Sequence, residues 1–117
     1  MRISESVAVS RLIESQLLEA VVARKPGWQR AYADLVEGYR PYLYQRCLRY
    51  MRNPDDAEDV LQEVFLNAYR YADRYQGRAA LKTWLTTIAD NQCFTHLRRR
   101  QRYVQIEHLA AVIEIHE

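Results

Sequence analysis

Apolar residues return every three or four positions along most of this chain, and the rhythm breaks only where proline, glycine or an Asn-Pro pair stands. That period predicts helices with one buried face each, because strands would alternate every second residue. A first amphipathic stretch starts near Ser10, an N-cap residue, carries Leu12, Ile13, Leu17, Leu18, Val21 and Val22, and stops near "KPG" at 25–27. A second helical region, Trp28 to about Arg52, carries Tyr32, Leu35, Val36, Tyr39, Leu43, Cys47, Leu48 and Met51. Pro41 should kink or interrupt it, since proline lacks the N–H that a helix interior needs. "RNPDD" then turns the chain: Asn53 caps the next helix, Pro54 suits its first position, and Asp55 and Asp56 favour the positive end of its dipole.

In that third helix Ala57, Val60, Leu61, Val64, Phe65, Ala68 and Ala72 gather on one side at 100° per residue, which predicts the core face. The other side collects Asp55, Asp56, Asp59, Gln62 and Glu63, with Leu66 among them. A solvated face is the plain reading of such a strip. An apolar residue inside it points instead to a docking surface, because interface centres combine apolar anchors with polar rims. The loop "DRYQGRAALK", 73–82, leads into a helix from about Thr83 to Arg100, with Leu85, Ile88, Ala89, Cys93 and His96 inward. Its other face holds Trp84, Thr87, Asn91, Thr95 and Arg98, which combine stacking, base-edge hydrogen bonding and phosphate contact. The plainer alternative packs Trp84 under the loop and leaves the rest solvated.

Composition supports the pattern. At 117 residues, with 49% hydrophobic and 27% charged residues but only three glycines and three prolines, the chain reads as one ordered all-α domain. The expected architecture is a compact helical bundle of about four helices. No apolar run approaches the roughly 20 residues that span a bilayer, and no signal-peptide pattern opens the chain, so membrane insertion is not expected and a cytoplasmic location is. Cys47 and Cys93 show no CxxC spacing and read as buried thiols. A metal site on Cys93 and His96 would need Cys47, His108 or His116 as further ligands, none at a recognisable spacing, so neither metal nor other cofactor is expected. The chain shows no nucleophile, base and orienter set and no phosphate-binding glycine loop, and an enzyme is not expected.

Charge changes the picture most. The net charge is +2 overall, but residues 1–52 carry +4, 53–69 carry −5, 70–102 carry +6 and 103–117 carry −3. Such segregation differs from a mixed solvated surface. A basic part suggests nucleic acid and an acidic strip suggests a basic protein partner. "RRRQR" at 98–102 adds Arg98, Arg99, Arg100 and Arg102 as a phosphate track beside the aromatic and amide face.

Taken in order, "NPDDAEDVLQEVFLNAYRYADRYQGRAALKTWLTTIADNQCFTHLRRRQR" at 53–102, preceded by "AYADLVEGYRPYLYQRCLRYMR", resembles the second conserved region of bacterial sigma factors of the extracytoplasmic-function group. The resemblance covers about residues 28–103 and rests on the ordered set "DAEDVLQEVF", a glycine loop, "TWL", "IADN" and "LRRR". It implies that the acidic helix grips the clamp helices of the largest RNA polymerase subunit, with Asp59, Gln62 and Glu63 at the family's core-binding positions. It also implies that the loop accepts a base flipped from the non-template strand of the promoter minus-ten element. Tyr75 to Leu81 match that loop, with Tyr75, Gln76, Gly77 and Arg78 as its candidate contacts, Lys82 follows it, and Trp84 and Asn91 match helix positions tied to strand opening and base contact. An anti-sigma factor is the implied regulator.

The chain departs from the pattern in carrying Trp84 and Leu85 where primary sigma factors have two tryptophans, which implies weaker duplex opening. Residues 1–27 read as an N-terminal extension with an amphipathic helix, 28–103 as the region 2 domain, and 104–117 as the start of an interdomain linker without the second, minus-thirty-five-reading domain. Two other readings stay open: a sigma mimic that titrates an anti-sigma protein without binding DNA, and an unrelated helical protein-interaction module.

Overall fold

The computed structural model describes the backbone of residues 2–116 and the side chains of residues 11–111. Among the described residues five α-helices follow one another: α1 Arg2–Val22, α2 Trp28–Gly38, α3 Arg40–Met51, α4 Pro54–Arg70 and α5 Leu81–His116, with a 3-10 turn at Ala72–Arg74. No strand occurs among the described residues, so the all-α expectation holds. The expected second helix is two helices that meet at Tyr39 (φ −92°, ψ 2°). Pro41, in the first turn of α3, has no N–H to return to the carbonyl four residues earlier, and the break falls just before it.

Local chemistry accounts for most boundaries. Asn53 is extended (φ −148°) and its side-chain oxygen accepts the Asp56 N–H at 3.1 Å, capping α4 as anticipated. Ser10 lies inside α1 and is not its cap. At the other end of α1 the Arg24 N–H donates to Val21 O at 3.1 Å and the Lys25 N–H to Ala20 O at 3.0 Å. These two bonds close a helix with a left-handed residue, and Arg24 (φ 52°) occupies the place glycine usually takes, at a backbone cost of about 1–2 kcal/mol.

Three pairs reveal how α3 and α5 lie together: Tyr42 with Thr86, Arg46 with Asp90 and Tyr50 with Phe94, each 44 positions apart. A constant offset means that the two helices run parallel, and the contact turns from hydroxyl pair to ion pair to edge-on aromatics along its length. Arg46 binds Asp90 through both carboxylate oxygens, at 2.6 and 2.9 Å. The returning α4 is antiparallel to α5, as Asn67 with Gln92 and Asp56 with Arg100 require. One core unites them: Val21 of α1, Tyr32, Leu35 and Val36 of α2, Leu43, Cys47 and Met51 of α3, Ala57, Val60, Leu61, Val64, Phe65 and Ala68 of α4, and Leu81, Leu85, Ala89 and Cys93 of α5; Ala72, expected on the α4 face, is half-buried in the 3-10 turn.

The expected helical bundle is present, and one of its helices runs on well past it. The radius of gyration is 19.4 Å and the extents are 70 × 34 × 20 Å, against about 13 Å for a compact chain of this size. The cause is α5, expected to end near Arg100 but 36 residues long. Residues 104–116, expected to start a linker, continue this helix, and the side chains of 104–111 are exposed.

Candidate functional site

Two surfaces stand on this frame. On α4, Asp55, Asp59, Gln62 and Glu63 are exposed on the turns facing away from the core, and Leu66 among them is 55% exposed. Asp56 does not belong with them: it is half-buried, and its carboxylate meets Arg100 of α5 at 3.3 Å. The sequence had assigned the two residues to different surfaces. The antiparallel packing of α4 on α5 brings these two opposite charges together, while the Arg100 side chain stays 59% exposed.

Beside Leu66 the structure adds groups that the sequence reading did not select for this surface. The Arg40 guanidinium lies 4.0 Å from the Phe65 ring centroid and binds both Glu37 carboxylate oxygens at 2.9 Å. The Tyr69 hydroxyl donates to Glu37 at 3.0 Å. Arg40, Phe65 and Tyr69 line a shallow cavity of about 310 Å³ together with Gln62 and Leu66. The Arg40 hydrogen bonds hold the Glu37 carboxyl below its usual range, while burial and the bond to Glu37 push the Tyr69 hydroxyl up to about 12. Only the break between α2 and α3 carries Arg40 over Phe65, so helical periodicity could not have signalled the contact.

The second surface begins at the loop between the 3-10 turn and α5. Gln76, Gly77, Arg78, Ala79 and Ala80 are exposed. Gly77 is in the left-handed region (φ +75°), and a Cβ there would sit 2.6 Å from a Val22 methyl, so two independent reasons demand glycine. Lys82 is exposed, with its Nζ 4.4 Å from the Tyr42 ring centroid.

Tyr75 and Trp84, both expected among the nucleic-acid contacts, are placed otherwise. Tyr75 is only 2% exposed, and its hydroxyl donates to Ala79 O at 2.8 Å, closing the loop from below. Trp84 is half-buried at 5.5 Å from the Tyr75 ring and donates its Nε1–H to the Tyr32 hydroxyl at 3.2 Å. Tyr32 in turn donates to Ala68 O at 2.6 Å. These three aromatics support the loop instead of offering their faces to solvent, because a wide ring with one polar tip is most stable with the ring covered and the tip bonded.

Along α5, Thr87 and Asn91 are exposed and Thr95 is half-buried. The Thr87 and Thr95 hydroxyls donate to Thr83 O and Asn91 O, at 3.0 and 2.9 Å. Asn91 and Thr95 rim a cavity of about 190 Å³ that Asn67, Tyr71, Ile88 and Gln92 complete. Asn67, Tyr71 and Gln92 were not anticipated; the wheel of one helix cannot show that Asn67 Nδ2 donates to Gln92 Oε1 at 3.0 Å across two. Each amide keeps donor or acceptor capacity for another group. Arg98, Arg99 and Arg102 follow, all exposed, and Arg98 lies 3.4 Å from the Thr95 hydroxyl.

Cys47 and Cys93 are buried free thiols on the facing helices α3 and α5, and the neighbouring Cys93 thiol together with burial raises the Cys47 thiol far above its ordinary value. Among the described residues no group of His, Cys, Asp and Glu is placed to hold a metal ion, and no helix is long and apolar enough to cross a membrane. The His116 side chain lies outside the described residues.

A helical bundle with an acidic, apolar-centred helix beside a loop and a basic, amide-bearing helix matches a known class. The model of the family Sigma-70 region 2 matches residues 35–103, more than half of the chain, and the chain belongs to that family. It is 36% identical over 104 residues to the ECF RNA polymerase sigma factor SigG of Mycobacterium tuberculosis, covering 87% of this chain and 28% of that protein. With the ECF RNA polymerase sigma factor SigW of Bacillus subtilis the identity is 34% over 89 residues, 76% of this chain and 48% of that one. The chain thus spans about half or less of these relatives' lengths. Among solved structures it is similar to an engineered region 2 of sigmaE in complex with GTAAAA, at TM-score 0.61 and 32% identity, covering 77% of this chain and 90% of that one. Sigma factors are binding proteins and not enzymes, and this chain is of that kind.

Proposed function

We propose that this domain serves transcription initiation by gripping core RNA polymerase with α4 and reading the promoter minus-ten element, as a single non-template strand, with the 76–80 loop and α5. The observation that carries the reading is the division of surface between two packed helices: exposed Asp55, Asp59, Gln62 and Glu63 around Leu66 on one, and exposed Arg78, Asn91, Arg98, Arg99 and Arg102 on the loop and the other. The acidic strip suits the basic clamp helices of the largest polymerase subunit. Carboxylates steer that encounter, and Leu66 supplies the apolar centre.

On the DNA side, a flipped base costs a few kcal/mol of unstacking, which a pocket with free amide groups offsets. The cavity rimmed by Asn67, Asn91 and Gln92 has those groups, and the following arginines extend the contact to phosphates. Similarity to the engineered sigmaE region 2, whose structure holds GTAAAA, supports a single strand as ligand. Control by an anti-sigma factor that covers both faces belongs to the same reading.

A sigma mimic gains some ground from one observation: Trp84 serves the core, so its presence alone does not argue for DNA binding. Asn91, Arg99 and Arg102 are exposed on the α5 surface and favour the reader. Fluorescence anisotropy with labelled non-template strands, with and without core polymerase at two salt concentrations, tests both. Polymerase-dependent, sequence-selective binding is expected; polymerase binding without selectivity would favour the mimic, and no binding to either would overturn both readings.

A further inference from the structure

The end of α1 lies outside the span matched by the family, 35–103, yet it reaches into the loop. Arg24 closes α1 in a left-handed conformation that glycine adopts without strain. What arginine adds is its side chain. Nη1 donates to Val21 O at 2.8 Å, and Nη2 donates to Asp73 O at 2.8 Å and to Tyr75 O at 2.6 Å. The guanidinium also lies 4.3 Å from the Trp28 ring centroid, which fixes its plane. One rigid fork therefore joins the end of α1 to two carbonyls at the entrance of the loop, about fifty positions further on.

The loop needs such a hold. Residues 76–80 are exposed and belong to no helix. Below them the Tyr75 hydroxyl bonds Ala79 O, and beside them Val22 of the same α1 turn leaves no room for a side chain at 77. A loop ordered beforehand loses less affinity and discrimination to ordering when it binds. A residue kept in a strained conformation persists where its surroundings use it.

We propose that Arg24 is a positioning residue for the 76–80 loop: it fixes the loop's entrance so that Gln76 and Arg78 meet a single strand from a set backbone, and α1 thereby tunes strand selectivity. The inference rests on the reading of the loop as the strand-recognition element. It leaves the polymerase face untouched, since Arg24 contacts no residue of the exposed acidic strip.

The test uses the whole chain with Arg24→Gly and Arg24→Lys. Glycine suits the left-handed turn, so any loss in Arg24→Gly belongs to the side chain; lysine keeps the charge but not the planar fork. NMR order parameters of amides 76–80, without DNA, should fall from about 0.85 in the parent to below about 0.6 in Arg24→Gly. Arg24→Lys should fall between, with α3 and α4 unchanged. Selectivity between the preferred and a scrambled non-template strand, measured with core polymerase, should fall about tenfold while polymerase affinity changes less than twofold. Unaltered order parameters in Arg24→Gly would overturn the proposal, as would a loosened loop with undiminished selectivity. Should the parent protein discriminate no strands at all, the functional reading falls, and the order parameters alone decide whether Arg24 holds the loop.

Discussion

The Tyr32 hydroxyl serves two helices at once, donating to Ala68 O on α4 and accepting from Trp84 on α5. Burial raises its pKa above the ordinary value, as expected for a phenol kept neutral in a core. Tyr32→Phe keeps the ring and strands the Trp84 N–H, so a loss of about 1–3 kcal/mol in urea unfolding is expected. Trp84→Ala, which the resemblance suggested as a probe of promoter opening, would loosen the loop support as well. Trp84→Phe retains the packing and isolates the hydrogen bond. Glu37 provides a pH test. Arg40 and Tyr69 hold its carboxyl below 4.5, so its contribution is fully present above pH 4.5 and is lost as pH falls through the depressed value. The acid limb of the Tm–pH curve should therefore be shallower in Glu37→Gln than in the parent, with no difference between the two slopes near neutrality.

At the scale of the element, α4 and α5 make separable predictions. Asn53→Ala removes the cap of α4 and should cost about 1 kcal/mol in denaturant unfolding without altering the acidic face. Asp59→Lys or Glu63→Lys reverses charge at exposed positions, so Tm should hold while affinity for core polymerase drops about tenfold or more in a binding titration. On α5, Arg99→Ala with Arg102→Ala should weaken every single strand alike. Together they should lower the slope of log K against log salt by about 1.4, at roughly 0.7 per phosphate contact. Arg100 should behave differently from its neighbours, because its replacement also leaves Asp56 without its partner.

For the molecule as a whole, the parallel seam between α3 and α5 ties the ends of the chain's recognition surfaces to one core. Leu85, fully buried on α5, faces that core, and Leu85→Ala should lower stability by about 2–5 kcal/mol in urea unfolding. Because loop support and α5 share this packing, strand binding should weaken in the same variant before polymerase binding does.

Much of this was determined by sequence alone. The core face of α4, the Asn53 cap, the proline break before α3 and the exposed acidic strip all follow from spacings within one helix or one turn, and such local rules act before any tertiary contact forms. The family was legible for the same reason, since it rests on ordered motifs along the chain. Tertiary structure decided the partners. Burial of Tyr75 and Trp84, the Asp56–Arg100 pair, Arg40 over Phe65, the amide-lined cavity between α4 and α5, and the reach of Arg24 into the loop all depend on which helices pack and in what register. A side chain's neighbours across such a seam lie 20 to 50 positions away, beyond the reach of any local periodicity.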